Sequence, residues 1–182
     1  MKVVIVLLAI VMVLLLVRRY SLFEPFNPAS EKPIVVHDVL TPAECQCVLS
    51  GKCDATEKVQ RIAAEYAGKP IQNCEPPLIL KNNEGGEVPG CEVNDSCSEF
   101  RNLGGARIGC LVVYLNDDFE GGELRFDAHG GQRIKPESGD GVFFRPLLSN
   151  RNAHKGDHVT KGTKYTCVVF VREKHADKIE VV

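Results

Sequence analysis

Eight cysteines and five histidines are the side chains of this 182-residue chain best suited to ligate a metal or act as nucleophiles. The cysteines are Cys45, Cys47, Cys53, Cys74, Cys91, Cys97, Cys110 and Cys167. No two of them form a Cys-x-x-Cys pair, which argues against a structural zinc clamp. Their even number fits an oxidising lumen with some disulfides, and reduced core cysteines are the alternative. Cys110 and Cys167 lie in apolar strand-like runs and read as core. Cys74, Cys91 and Cys97 lie in loop-like sequence and are the better bridge candidates. His129, in Ala-His-Gly-Gly, reads as a solvated turn residue. His154 and His158 stand four residues apart, and the plain reading of either is a solvated loop imidazole. Asp117 and Asp118 precede a Gly-Gly turn and suit a solvated loop better than a metal pair. No Ser-His-Asp order, phosphate loop or basic aromatic surface is present. A net charge of −2 gives no field to attract nucleic acid.

These groups must be positioned by the rest of the chain. Hydrophobic and charged contents of 44% and 25% are ordinary for a globular domain. Residues 1–19 read as a transmembrane signal anchor: Val3 to Val17 is unbroken and apolar, with Lys2 before it and Arg18-Arg19 after. A helix over this run is roughly 22 Å long against a ~30 Å hydrocarbon core, and the flanking cations can snorkel to make up part of the difference. No small-x-small cleavage site follows. Lys2 and the terminal amine balance Arg18 and Arg19, so the charges do not orient the span. Residues 20–32 read as a linker. From Pro33 a strand runs to Val39. Thr41-Pro42-Ala43-Glu44 is a capping box opening a helix to about Leu49. Asp54 to Glu57 caps a second helix, along which Val59, Ile62, Ala63 and Tyr66 repeat at helical spacing before Gly68 closes it. Strand-length apolar runs follow at Leu78–Leu80, Ile108–Leu115, Glu123–Phe126, Gly141–Phe144 and Tyr165–Val171. Two helices and then many short strands predict an α+β domain with a sandwich or barrel of strands. The tail from Glu173 to Val182 is charged and is expected to fray.

Several ordered motifs resemble iron(II)/2-oxoglutarate-dependent dioxygenases of the prolyl 4-hydroxylase type. They are Gly104-Gly-Ala-Arg-Ile-Gly-Cys-Leu-Val-Val-Tyr-Leu-Asn116, Glu120-Gly-Gly-Glu-Leu-Arg-Phe126, Ile134-Lys-Pro-Glu-Ser-Gly-Asp-Gly-Val-Phe-Phe144, and His154 with Gly156, Val159, Lys161, Gly162 and Lys164. Upstream, Val39 to Cys45 is similar to the family's first helix. The resemblance covers residues 33–173, leaving 174–182 as a tail. It implies a double-stranded β-helix (jelly roll) with the N-terminal helices packed on one sheet. It implies iron(II), 2-oxoglutarate and ascorbate as cofactors, and a protein or peptide substrate. In that family two His and one carboxylate hold the iron and leave positions open for co-substrate and oxygen. His154 would be the distal ligand, preferred over His158 by its spacing to Lys164. Lys164 would pair with the far carboxylate of 2-oxoglutarate. Arg107 is a further candidate for the co-substrate, with an ordinary ion-paired arginine as the equal alternative.

The proximal half of the metal site departs from the pattern. Where the family has His-x-Asp, this chain has Cys91-Glu92-Val93, and no His lies between His37 and His129. Asn82 stands where the family has a Tyr that helps hold the co-substrate. A shifted loop could offer Asp95 or Glu92 with a Cys91 thiolate, which oxygen chemistry would threaten. Alternatively the domain keeps His154 alone and serves as an inactive binding module. Cys91 could also be bridged to Cys97 or Cys74, stiffening the loop. The expectation carried forward is a single-pass membrane oxygenase acting on a prolyl-like side chain, anchored through residues 3–17. The compartment expected is the endoplasmic reticulum or another secretory-pathway or viral membrane, with the domain lumenal. A small disulfide-bonded membrane-surface protein is a third possibility.

Overall fold

The computed structural model of the protein describes residues 32–52, 55–86, 105–145 and 154–175. The apolar run 3–17, the linker before Lys32, Cys53, Asp54, Cys91 to Asp95, Cys97 and the tail after His175 lie outside these residues. Among the described residues no helix is long and apolar enough to cross a membrane.

Helix α1 (Pro42–Leu49) begins at the capping box, with Pro42 in its first turn. Thr41 Oγ1 accepts from the Glu44 N–H at 3.3 Å, and the Glu44 carboxylate accepts from the Thr41 N–H at 2.7 Å. Each side chain thereby satisfies an amide left open at the helix start. Lys58, on helix α2 (Thr56–Ala67), lies 2.9 Å from the same carboxylate and ties the two helices together. The backbone bond from Thr41, then the Lys58 and Thr41 side chains, hold the Glu44 carboxyl down at about 2. Gly68 closes α2 in the left-handed region with φ 68°. The start of α2 differs from the expected Asp54 cap: its N-cap is Ala55, which makes no side-chain hydrogen bond.

The strands among the described residues are β1 (Ile34–Val36), β2 (Leu78–Asn83), β3 (Arg107–Tyr114), β4 (Glu120–Gly121), β5 (Leu124–Phe126), β6 (Gln132–Ile134), β7 (Gly141–Phe144), β8 (His154–Gly156), β9 (Val159–Lys161) and β10 (Thr163–Arg172). A major antiparallel sheet has the order β1-β7-β3-β10-β2, and smaller sheets are β6-β5-β8 and β4-β9. Side chains alternate across a strand, so the major sheet has two distinct faces. Leu111, Val113, Phe143, Cys167, Val169 and Val171 pack with Val59, Ala63, Ala64 and Ala67 of α2. On the other face Cys110, Val112, Tyr114, Val142, Phe144 and Val168 meet Phe119, Leu124, Phe126, Ile134 and Val159 from the smaller sheets and their loops. Gly109 permits the close approach of the helix, because a Cβ there would lie 3.0 Å from the Phe143 ring and 3.3 Å from Ala67. The arrangement is the α+β jelly roll with helices on one sheet. Strands β4, β6, β8 and β9 were not expected; at two or three residues they are too short to show a period.

Two local expectations are corrected. Cys74 is a free, buried thiol, not a bridge; it donates to the Gln60 carbonyl at 3.3 Å where its chain bridges Val171. Cys45, Cys110 and Cys167 are also free and buried, while Cys47 is disulfide-bonded. Glu173 does not fray: its N–H donates to the Ala106 carbonyl at 3.0 Å, and its carbonyl accepts from Lys69.

The depressed Glu44 carboxyl makes the α1 start acid-sensitive. Its folded value near 2 lies below the ordinary 4.5, so its stabilisation is present in full above about pH 4.5 and is lost as pH falls through about 2. Glu44→Gln should lower stability at pH 7 and flatten the acid limb, as measured by urea unfolding at stepped pH. Thr41→Ala should cost about 1 kcal/mol in the same assay.

Candidate active site

Strand β10 sends Lys164 inward, onto the face that carries Tyr114. Only 2% of Lys164 is exposed. Its ammonium donates to the Gly122 carbonyl and to the Tyr114 hydroxyl, 3.3 Å away, and lies 4.6 Å from the Tyr114 ring centroid. Gly122 makes room for it: a Cβ there would stand 3.1 Å from Lys164 Cδ and 3.0 Å from the Phe119 ring, in a backbone at φ +71°. Tyr114 stacks on Phe119, and Lys135 caps that ring from outside at 4.1 Å. No carboxylate among the described residues pairs with Lys164. Burial lowers its pKa to about 8; the charge of Glu123 opposes, Lys135 adds to the lowering, and Asp157 opposes more weakly. Burial also pushes the Tyr114 phenol up, so it stays protonated and able to donate.

His154 opens β8, directly across from Phe126. Its ring lies 4.2 Å from that of Phe144 and 5.8 Å from that of Phe126, centroid to centroid. Both phenylalanines belong to the inner cluster that also contains Tyr114. His154 and Lys164 therefore border the same interior. His158 sits exposed in the connection to β9. His129 ends a 3-10 turn, half-buried, with its ring 6.5 Å from Phe126. Asp117 and Asp118 serve the loop: one accepts from the Ser138 N–H, the other from Asn116 Nδ2.

Arg107 is placed differently. Its guanidinium grips Glu75 through two bonds of 2.7 and 2.6 Å and lies flat over Phe170, 3.7 Å from the ring centroid. Arg172, buried beside it, donates to the same carboxylate at 2.7 Å and to the Gly105 carbonyl at 2.6 Å. The Arg107 charge is thus answered by a buried carboxylate, whereas that of Lys164 is not. Glu75 and Arg172 were missed from sequence. Glu75 sits between Cys74 and Pro76 in an aperiodic stretch, and Arg172 ends an apolar strand where an exposed side chain is the default.

Asn82 lies directly opposite Lys164 in the β2–β10 register, and its Oδ1 is buried without a hydrogen-bond donor. A buried cation that no carboxylate among the described residues pairs fits the far carboxylate of a 2-oxo diacid. For iron the described residues supply one imidazole, His154. No group of three His, Cys, Asp or Glu able to hold a metal occurs among them, and Cys91 and Asp95 lie outside them.

Residues 92–172 match the model of the 2OG-Fe(II) oxygenase superfamily. A protein of Acanthamoeba polyphaga mimivirus, provisionally named a prolyl 4-hydroxylase, is 27% identical across 83% of this chain and 76% of its own length. Prolyl 4-hydroxylase 1 of Arabidopsis thaliana is 32% identical over 39% of this chain and 31% of its own. Among solved structures, the viral collagen prolyl hydroxylase of Paramecium Bursaria Chlorella virus-1, complexed with 2OG, superimposes with a TM-score of 0.60 at 19% identity, over 79% of this chain and 96% of its own. A Trichoplax adhaerens prolyl hydroxylase bound to a hypoxia inducible factor peptide fragment gives 0.60 at 13% identity, over 79% and 84%. The cofactors that go with this family are iron(II), 2-oxoglutarate and ascorbate. In motif order and sequence relatives the chain is similar to the 2OG-Fe(II) oxygenases of the prolyl 4-hydroxylase type, and its fold is the one their solved structures share.

Proposed function

We propose that the protein is a membrane-anchored dioxygenase that hydroxylates a prolyl-like side chain in a protein or peptide. The observation that carries this reading is the shared interior of His154 and the unneutralised Lys164. Lys164 takes the far carboxylate of 2-oxoglutarate, with the protonated Tyr114 hydroxyl beside it. His154 offers its imidazole to the metal and is backed by Phe126 and Phe144, which keep water from that side. Iron(II) held by His154 would supply, with 2-oxoglutarate and oxygen, the oxidising power to turn a substrate C–H into C–OH, with succinate and carbon dioxide as the products of the co-substrate. The Trichoplax relative was captured with a peptide, which supports a peptide substrate here. The apolar residues 3–17 supply the anchor, in the endoplasmic reticulum or another secretory-pathway or viral membrane, with the domain on the lumenal side.

A second reading is favoured by one specific feature. Cys91-Glu92-Val93 stands where the proximal ligands belong, and the sequence between His37 and His129 has no imidazole to replace them. On that reading the domain keeps the anion seat and binds a partner without turnover.

Three measurements test these readings. Under nitrogen, the full chain should bind one iron(II) per molecule, and on admission of oxygen it should release succinate from 2-oxoglutarate; His154→Ala should lose both. Wild-type protein that neither retains iron nor releases succinate would establish the inert module. Lys164 gives a stability signature. Its folded value near 8 lies below the ordinary 10.5, so burial penalises the charged form in full below about pH 8, and the penalty fades as pH rises toward 10.5. Lys164→Met should raise stability at pH 7 by up to roughly 3 kcal/mol and abolish the alkaline rise, while removing 2-oxoglutarate binding. Deletion of residues 1–19 should move the protein from the membrane to the soluble fraction after carbonate extraction. Retention of the deleted form on membranes would refute the anchor.

A further inference from the structure

We infer that His129 is a substrate-positioning residue: its imidazole stands at the rim of the interior, beyond His154, and donates to a backbone carbonyl of an extended, proline-containing peptide. This role rests on the oxygenase reading above and says which part of this chain meets the substrate. Strand β5 and its flanks present their neighbours to the interior in a fixed order. Gly122, just before the strand, accepts from the Lys164 ammonium. Phe126, at the end of the strand, lies directly across from His154. At the rise of a β-strand those two positions are about 13 Å apart. His129 follows Phe126 on the 3-10 turn Asp127–His129. Side chains three apart in such a turn eclipse one another, and the His129 ring lies 6.5 Å from that of Phe126. The order along β5 is therefore Lys164, then His154, then His129. With a co-substrate carboxylate at the first and a metal at the second, the substrate C–H approaches from the side of the third.

The surface on that side suits a peptide. Phe126 is wholly buried, whereas His154 and His129, whose rings lie against it, are each half-exposed. Phe144 extends the floor through an edge-to-face contact with Phe126 at 5.3 Å. The turn is pinned from behind: the Asp127 carboxylate lies 2.8 Å from Arg125 Nε, and its carbonyl accepts from the Gly130 N–H. Gly130 and Gly131 then reverse the chain at φ +71° and +72°, and a Cβ on either would meet no described atom within 4 Å. A proline-containing peptide in the polyproline II conformation makes no internal hydrogen bonds, so its carbonyls seek outside donors, and such peptides pack on aromatic surfaces. An imidazole over a phenyl floor offers a ring N–H and a flat face together. The sequence pattern alone, Ala-His-Gly-Gly, reads as a solvated turn; the ring contact with Phe126 is what sets His129 at the rim.

The test is binding without turnover. The full chain is held under nitrogen with cobalt(II) in place of iron and with 2-oxoglutarate, and a fluorescent peptide of alternating proline and alanine is titrated by anisotropy. His129→Ala should weaken the peptide about fivefold, as expected for loss of one hydrogen bond, and leave the affinities for cobalt(II) and 2-oxoglutarate unchanged. His129→Gln, which keeps an N–H donor, should recover most of the peptide affinity, and His129→Phe, which keeps only a ring, should not. Peptide affinity unchanged in His129→Ala, with cobalt(II) still lost in His154→Ala, overturns the role of His129 and leaves the oxygenase reading standing. Loss of cobalt(II) in His129→Ala also overturns it, by making His129 a metal ligand. Wild-type protein that takes up neither cobalt(II) nor 2-oxoglutarate overturns both.

Discussion

Lys164 carries a positive charge into a wall built from Tyr114, Phe119 and Val159, and no carboxylate among the described residues pairs with it, although Glu123 and Asp157 act on it through space. Such a group is costly: burial removes water from the ammonium, and only a carbonyl, a hydroxyl and an aromatic face replace it. The structure accommodates the cost through the cation–π contact and through Gly122, whose missing Cβ leaves the side chain its channel. A folded chain keeps an uncompensated buried charge most readily where a ligand compensates it, and the co-substrate of the family carries a carboxylate at the matching end.

The other buried charges behave in the opposite way. Glu75 is chelated by Arg107 and Arg172, so the interior there is ionic but answered. The cluster joins the loop after α2 to the first residue of β3 and the last of β10. Arg107 is also stacked on Phe170, which fixes the plane of its guanidinium. Removing Glu75 would leave two guanidiniums facing each other in a dry place, which is why a buried group of this kind is lost only at high cost. Strand β10 thus has a structural charge cluster at its C-terminal end and, near its start, a cation that no carboxylate among the described residues pairs.

The metal end is where this chain parts from its relatives. A facial triad needs two imidazoles and a carboxylate, and the stretch matching its proximal half offers a thiol, a carboxylate one position off and a valine. Lys164 and His154 belong to strands whose packing is shared with the whole jelly roll. The stretch matching the proximal ligands lies outside the described residues; its sequence reads as loop, and loops are where function can be altered without unfolding the scaffold.

Local chemistry was readable from the residues alone. The Thr41–Glu44 box, Pro42 and Gly68 act within one helical turn, so their meaning does not depend on the rest of the chain. The apolar runs of β3, β7 and β10 marked strands, and because side chains alternate across a strand the near-continuous burial of these runs places apolar groups on both faces of the sheet. The spacing of His154 and Lys164 carried the family's pattern without showing that both border one interior. That was decided by the β8–β5 and β10–β2 pairings, which join residues up to 90 positions apart, as Val168 and Leu78 are. Tertiary structure also decided that Cys74 is a buried thiol, that Arg107 belongs to Glu75, and that Asn82 stands opposite Lys164. Each of these depends on which distant strand becomes a neighbour. Pairing of that kind is set by the summed packing of both faces of the sheet, which no local pattern of residues encodes.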